Sequence, residues 1–172
     1  MSKLSVRKLN TGGETMFSKT IATAVAFSAL MATGAQAENL RASNPEGFLD
    51  VFFEAGYPAQ LTEDAVGDPL IEFRLRGETE AMFFYDCENN KDCLSLQLYS
   101  GYMLDKAPSL RKINEWNSGD RRFTRAYLSE DGAARIEMDI ATGADGISRR
   151  DFEDLLELWV DRLAEYEEFI GW

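Results

Sequence analysis

The sequence predicts an α+β fold in which an antiparallel sheet of about five strands packs against three helices. In three segments apolar residues recur every three or four positions, which is the spacing of one helical face. In the segments between them apolar and polar residues alternate, as in strands with one buried face. Short turns join these strands, and strands joined by hairpins are antiparallel neighbours. The predicted order is α-β-β-β-α-β-β-α.

The first predicted helix begins at Asn44 and Pro45. Asparagine is a favoured N-cap residue, and proline suits the first turn of a helix. Gly56 is placed to end the helix in the left-handed conformation. Four apolar side chains share one face of this helix: Phe48, Leu49, Phe52 and Phe53.

Three strands follow the first helix. Alternation begins at Leu70, and a turn at Gly77 and Glu78 leads to a second strand over residues 81–85. Residues 60–63 are compatible with a further short strand, so we expect three or four strands before the second helix. The next strand covers residues 93–100 and places three leucines on one face: Leu94, Leu96 and Leu98.

The sequence pattern of the second half of the chain predicts a helix, a hairpin and a long final helix. The helix covers residues 108–116, and the hairpin joins strands over residues 122–128 and 134–140 through a turn at residues 129–132. Ser148 is placed to cap the final helix. The apolar face of that helix contains Phe152, Leu155, Leu156, Trp159, Leu163, Tyr166 and Ile170.

Residues 1–37 have the plan of a secretory signal peptide, with Met16 as the expected true start. A lysine precedes a short apolar run, and the small residues Ala35 and Ala37 match the requirement of the signal peptidase, so we expect cleavage after Ala37. The apolar run is shorter than the roughly 20 residues that span a bilayer. The sequence therefore predicts a soluble periplasmic or secreted protein, with a single domain over residues 38–172.

The composition excludes several functional classes. The chain of 172 residues has no histidine, which removes catalytic triads and most common zinc and iron sites. Its net charge is −12, which disfavours binding to nucleic acid and to anionic membranes. We expect no cofactor and no metal ion.

The two cysteines, Cys87 and Cys93, are expected to form a disulfide because an exported chain enters an oxidising compartment. The alternative is a redox or metal pair, but their spacing is not Cys-x-x-Cys. The disulfide would close the connection between the strands over residues 81–85 and 93–100 and stabilise the domain.

The order of short motifs resembles the YbjN family of bacterial proteins over roughly residues 48–169. Those motifs are Phe84-Tyr85-x-Cys87, Cys93-x-Ser95-Leu96-Gln97-Leu98-Tyr99-Ser100-Gly101, Ile113-Asn114-x-Trp116-Asn117, Arg122-Phe123-x-Arg125-Ala126-Tyr127-Leu128 and Glu137-Met138-Asp139. The resemblance implies a sensory transduction regulator with a fold like that of the type III secretion chaperones, which often dimerise and bind segments of other proteins. It supplies no catalytic or ligand-binding residues.

One cluster of residues is suited to binding a peptide or a carboxylate: Trp116, Asn117, Arg121, Arg122 and Arg125. It brings an aromatic ring, an amide and three guanidinium groups close together in an acidic chain. The alternative is structural: Trp116 belongs to the core, Asn117 ends a helix, and the arginines neutralise neighbouring acids.

Other candidates for chemistry are weaker. Glu137 and Asp139 share one face of a strand, and ion pairs with Arg122 or Arg125 on the neighbouring strand explain them without catalysis. Ser95 has no histidine partner, and the segment beginning at Asp145 lacks the first oxygen ligands of a calcium loop.

The sequence therefore predicts a protein that is not an enzyme. We expect an exported binding or regulatory protein that holds a segment of a partner protein in a chaperone-like way. A homodimer is compatible with this hypothesis. Two alternatives stay open: a small hydrolase or ligand-binding enzyme that uses carboxylates, and a structural component of the envelope.

Overall fold

The computed structural model describes residues 39–172. The predicted signal peptide, with Ala35, Ala37 and Met16, lies outside the described residues. Within them, no helix is long and apolar enough to cross a membrane.

Six antiparallel strands form one sheet, in the spatial order β1-β2-β3-β4-β6-β5. The first four strands are consecutive neighbours, and β6 then pairs with β4 along its whole length, from Ser95 opposite Ala141 to Tyr102 opposite Ala134. The short strand β5 lies at the edge beyond β6. The strands are β1 (Ala59–Glu63), β2 (Pro69–Leu75), β3 (Glu78–Tyr85), β4 (Ser95–Tyr102), β5 (Arg125–Leu128) and β6 (Ala134–Ala141).

The three helices are α1 (Glu46–Glu54), α2 (Leu110–Ser118) and α3 (Arg149–Ile170). The side chain of Ser109 accepts a hydrogen bond from the N–H of Lys112 at the start of α2. Ser148 caps α3 in the same way, as predicted, by accepting from the N–H of Asp151 at 3.0 Å. These bonds satisfy donors that a helix leaves unpaired in its first turn.

All three helices pack on the same side of the sheet. Phe48 of α1 lies between Phe84 of β3 and Phe152 of α3, with ring centroids 6.0 and 4.8 Å away. Trp116 of α2 packs against Tyr166 of α3 at 4.8 Å. The core therefore lies between one face of the sheet and the helices.

The α+β class, the antiparallel sheet and the three helices are confirmed, but the sheet has six strands because residues 59–63 form an additional edge strand. β5 begins at Arg125 and not at residue 122, since Phe123 has a φ of 72°, a left-handed conformation that a strand does not accommodate. Asn44 does not cap α1, because Pro45 occupies the N-cap position with helical backbone angles. Leu94 is exposed, since β4 begins only at Ser95.

Cys87 and Cys93 form the predicted disulfide in the connection between β3 and β4. Four non-glycine residues of this region have positive φ: Asp86, Asn89, Asn90 and Asp92. Such a conformation is unfavourable for residues with a Cβ atom. The disulfide holds this tight loop closed at the end of the hairpin.

Candidate binding face

The side of the sheet opposite the helices is the candidate functional site, and we call it the open face. Alternate residues of each strand point to the two sides of a sheet. On β3, β4 and β6 one set is buried under the helices, and the other set meets no helix of the described chain. The central side chains of the open face are Phe83, Tyr85, Gln97, Tyr99, Arg125, Tyr127, Arg135, Glu137 and Asp139.

Glu137 is the centre of a hydrogen-bond network on this face and is only 5% exposed. One carboxylate oxygen, Oε2, accepts a hydrogen bond from Nε of Arg125 at 2.8 Å and lies 2.7 Å from Nη2 of the same guanidinium group. The other, Oε1, accepts from the hydroxyl of Tyr127 at 2.6 Å. The Nε2 group of Gln97 donates to Asp139 at 2.7 Å. Buried charge is thus paired within the sheet, as its desolvation requires.

The carboxylate of Glu137 contributes to the raised pKa values of Arg125 and Tyr127, which donate to it. The charge of Glu137 raises the pKa of Arg125. Burial raises the pKa of Tyr127, and its hydrogen bond to Glu137 adds to the rise. Both groups therefore keep their protons at neutral pH. The predicted pairing of the acids with Arg122 or Arg125 is confirmed for Arg125, which also lies 3.8 Å from Asp139.

Aromatic rings form the second half of the open face. The ring of Phe83 meets that of Tyr99 edge to face, with centroids 5.5 Å apart. Arg135 lies over the same tyrosine ring and donates to its hydroxyl. Gly101, opposite Arg135 on the neighbouring strand, makes this possible, because a Cβ atom there would lie 2.6 Å from Nη1 of the arginine.

Two depressions adjoin the Arg125–Glu137 pair. One of about 500 Å³ is lined by Tyr85, Asp86, Gln97 and Asp139 along with the pair itself. The other, of about 410 Å³, is lined by Asn117, Ala126 and Tyr127 with the same pair. Rigid aromatic rings beside satisfied polar groups are typical of surfaces that bind other proteins.

The structure does not bring the five predicted binding residues together on one surface. Trp116 is fully buried against α3, so its indole is not accessible to a ligand. Arg121 lies over that ring at 4.5 Å from its centroid, and Arg122 lies over Phe123. Asn117 and Arg125 alone share a depression of the open face.

Asn117 closes one edge of the sheet. Its side-chain amide donates to the C=O of Ala126 at 2.9 Å and accepts from the N–H of the same residue at 2.8 Å. Both outward backbone groups of this edge residue are therefore satisfied by one side chain. Such a device prevents an edge strand from pairing with another chain.

Several residues of the open face were not predicted as site residues: Tyr85, Gln97, Tyr99 and Tyr127. The signal was present in the alternation, since each occupies the polar position of a strand. Their functional interest appears only when the sheet order places β4 beside β6 and β6 beside β5.

The remaining candidates have structural surroundings. Glu137 and Asp139 are neighbours on one strand, hydrogen-bonded to Gln97 and Arg125, and they do not face each other across a cleft as in glycosidases. In the predicted calcium-like segment, Ile147 exchanges two backbone hydrogen bonds of 2.8 Å with Leu40. Residues 39–172 contain no group of three or more acidic, cysteine or histidine side chains that could hold a metal ion.

A separate buried carboxyl group lies on the helix side of the sheet. Glu80 is 3% exposed, and its Oε2 atom has no hydrogen-bond partner among the described residues. Burial raises its pKa from 4.5 to about 7, although a hydrogen bond from Ser100 opposes the rise. The nearby Glu167, which pairs with Arg76 at 2.8 Å, also raises the pKa.

A comparison with protein families gives a match that covers most of the described residues. Residues 44–172 match the model of the YbjN family, described as "Putative bacterial sensory transduction regulator". The chain belongs to the YbjN family. This membership confirms the resemblance seen in the sequence and is consistent with a regulatory or binding role. No curated protein matches the chain.

Family membership names no chemistry for the YbjN chain. The residues matched by the family model include the whole sheet, α1, α2 and α3. Both the open face and the edge closed by Asn117 therefore lie inside the family domain. The function of the protein therefore depends on the chemistry of these surfaces.

Proposed function

We propose that the protein is an exported, non-enzymatic binding or regulatory protein that holds a segment of a partner protein on its open face. One observation carries the proposal: the sheet is covered by helices on one side only, and its other side presents aromatic rings around a fully paired carboxylate. A general base must lie within reach of a substrate proton. Glu137 is only 5% exposed, and each of its oxygens accepts a hydrogen bond from a neighbouring side chain.

The larger depression supports a segment with a basic side chain as the occupant. Asp86 and Asp139 line it together with Tyr85, and the one cation of its lining, Arg125, is paired with Glu137. A lysine or arginine of the partner would meet two carboxylates and stack on the tyrosine ring, an arrangement that favours cations. The overall charge of −12 would attract the same kind of partner at long range.

Export is the second part of the proposal. The lysine, the apolar run and the small residues Ala35 and Ala37 in the sequence support it. The disulfide between Cys87 and Cys93 also supports it, since such bonds persist mainly in oxidising compartments.

Quantitative capture tests the binding role. The protein, a Tyr85→Ala/Tyr127→Ala variant and a Phe53→Ala control would each be immobilised and exposed to periplasmic extract. Phe53 is an exposed aromatic residue of α1, on the helix side of the sheet. We expect a partner that binds the protein and the control but not the double variant. Equal recovery by all three, with melting temperatures unchanged, would contradict the proposal.

A further inference from the structure

The two edges of the sheet differ. At the β5 edge, Asn117 satisfies the outward N–H and C=O of Ala126. At the other edge, residues 60–63 of β1 are exposed, and no comparable hydrogen bonds pair the outward backbone groups of this strand within residues 39–172. Uncovered edge strands are templates for pairing with another chain.

The hydrogen-bond pattern shows which groups of β1 point outward. The C=O of Pro58 accepts from Arg74, and the N–H of Asp64 donates to Asp68, so the even-numbered positions face β2. In an antiparallel ladder the intervening residues point the other way. The free edge therefore presents the N–H and C=O groups of Ala59, Leu61 and Glu63, and none of these has a hydrogen-bond partner in the described chain.

We propose that this edge binds the same edge of a second copy of the chain, antiparallel, with a two-fold axis at Leu61. In this register Leu61 exchanges two hydrogen bonds with Leu61 of the second copy. Ala59 of each copy exchanges two with Glu63 of the other. Every outward donor and acceptor of both strands is then paired, as an isologous interface requires.

The side chains agree with this register. Leu61, an apolar residue that is 37% exposed, meets its own copy at the axis. Glu63 lies opposite an alanine, so that no like charges are directly opposed. The two Glu63 side chains are separated by about 14 Å along the strands, which exceeds the screening length at physiological salt. With the axis moved by one residue, to Gln60 or to Thr62, the outward groups of Glu63 or of Ala59 would have no partner within the strand of the second copy.

The interface is small, because β1 contributes five residues. We therefore expect a weak dimer whose population depends on protein concentration, in which the sheets of two copies form one continuous sheet. The open face and its two depressions stay accessible in this dimer, because β5 and β6 lie at the far side of each sheet.

Analytical ultracentrifugation of charged variants of Leu61, which measures how much of the protein is dimeric, tests the proposal. Leu61→Lys and Leu61→Glu each place like charges directly opposite each other, and we expect either variant alone to weaken the dimer by about tenfold or more. An equimolar mixture of the two should restore it. Thr62→Lys is the matched control, because Thr62 faces Gln60 of the second copy, and its effect should be smaller.

Hydrogen exchange of the unmodified protein gives a second measurement that needs no variant. We expect the amide of Leu61 to be protected at high concentration and to exchange rapidly on dilution. A monomer at all concentrations, a dimer insensitive to both charge variants, or protection independent of concentration would each overturn the proposal. The last result would indicate an intramolecular cover or another protein segment as the occupant. Partner capture by the open face is unaffected by these substitutions, so the two proposals fail separately.

Discussion

Replacing Glu80 by glutamine should change the pH dependence of stability. The carboxyl group lies under the helices, near Ser100 of β4, Glu167 of α3, Arg76 of the β2–β3 turn and Glu78 of β3. Burial disfavours its charged form and raises its pKa to about 7. Glutamine has nearly the same shape and never ionises, so Glu80→Gln removes this titration with little change in packing.

The sign follows from the proton count of the two states. Below about pH 4.5, the unperturbed value, Glu80 is protonated both folded and unfolded and has no effect. Between pH 4.5 and about 7 the unfolded chain releases a proton that the folded chain keeps, so the free energy of unfolding decreases as pH rises. Above pH 7 the loss is complete and amounts to about 3 kcal/mol.

Urea unfolding of both proteins between pH 4 and pH 9 measures this effect. We expect the variant and the parent to be about equally stable at pH 4, and the variant to be more stable by up to about 3 kcal/mol at pH 9. Glu168→Gln, at an exposed position of α3, is the control and should leave the difference near zero. A stability difference between Glu80→Gln and the parent that does not vary with pH would show that folding does not raise the pKa of Glu80.

Three further predictions concern the edge, the disulfide and catalysis. Asn117→Ala should lower the free energy of unfolding in urea by about 2 kcal/mol and promote self-association, because the N–H and C=O of Ala126 lose their hydrogen bonds at the sheet edge. The control Asn114→Ala should have little effect. Replacing Cys87 and Cys93 by serine should cost roughly 2 kcal/mol and lower the melting temperature by several degrees, and exported protein should take up alkylating reagent only after reduction. A hydrolase substrate screen should detect no turnover, and turnover abolished by Glu137→Gln with the fold intact would contradict the non-enzymatic assignment.

Much of the fold was predictable because its elements carry strong local patterns. The apolar face of α3 and the apolar alternation of β2 and β6 are visible in the sequence because these side chains form the core between the helices and the sheet. β1 was predicted only as an optional strand, since four of its five residues are exposed and no apolar alternation marks it. The start of β5 was missed because the left-handed backbone of Phe123 has no sequence signal.

The candidate site was less predictable because it depends on contacts between distant strands. The sequence placed Asn117 and Arg125 in one cluster with Trp116, since they are close along the chain. In the fold, α2 turns Trp116 into the core while Asn117 contacts the edge of β5. The ion pair of Arg125 with an acid of β6 was predicted, because β5 and β6 follow each other along the chain, but Gln97 joins the network only because the sheet order places β4 beside β6.

Site-specific photo-crosslinking in living cells determines whether the open face of the exported chain contacts a partner protein. A benzoylphenylalanine at Tyr127 would lie on the open face beside Glu137, and one at Phe53 would lie on the helix side. We expect illumination to join a defined protein to position 127, but not to position 53, in the exported chain. Crosslinks of equal yield at both positions, or none at position 127 while position 53 reacts, would contradict it.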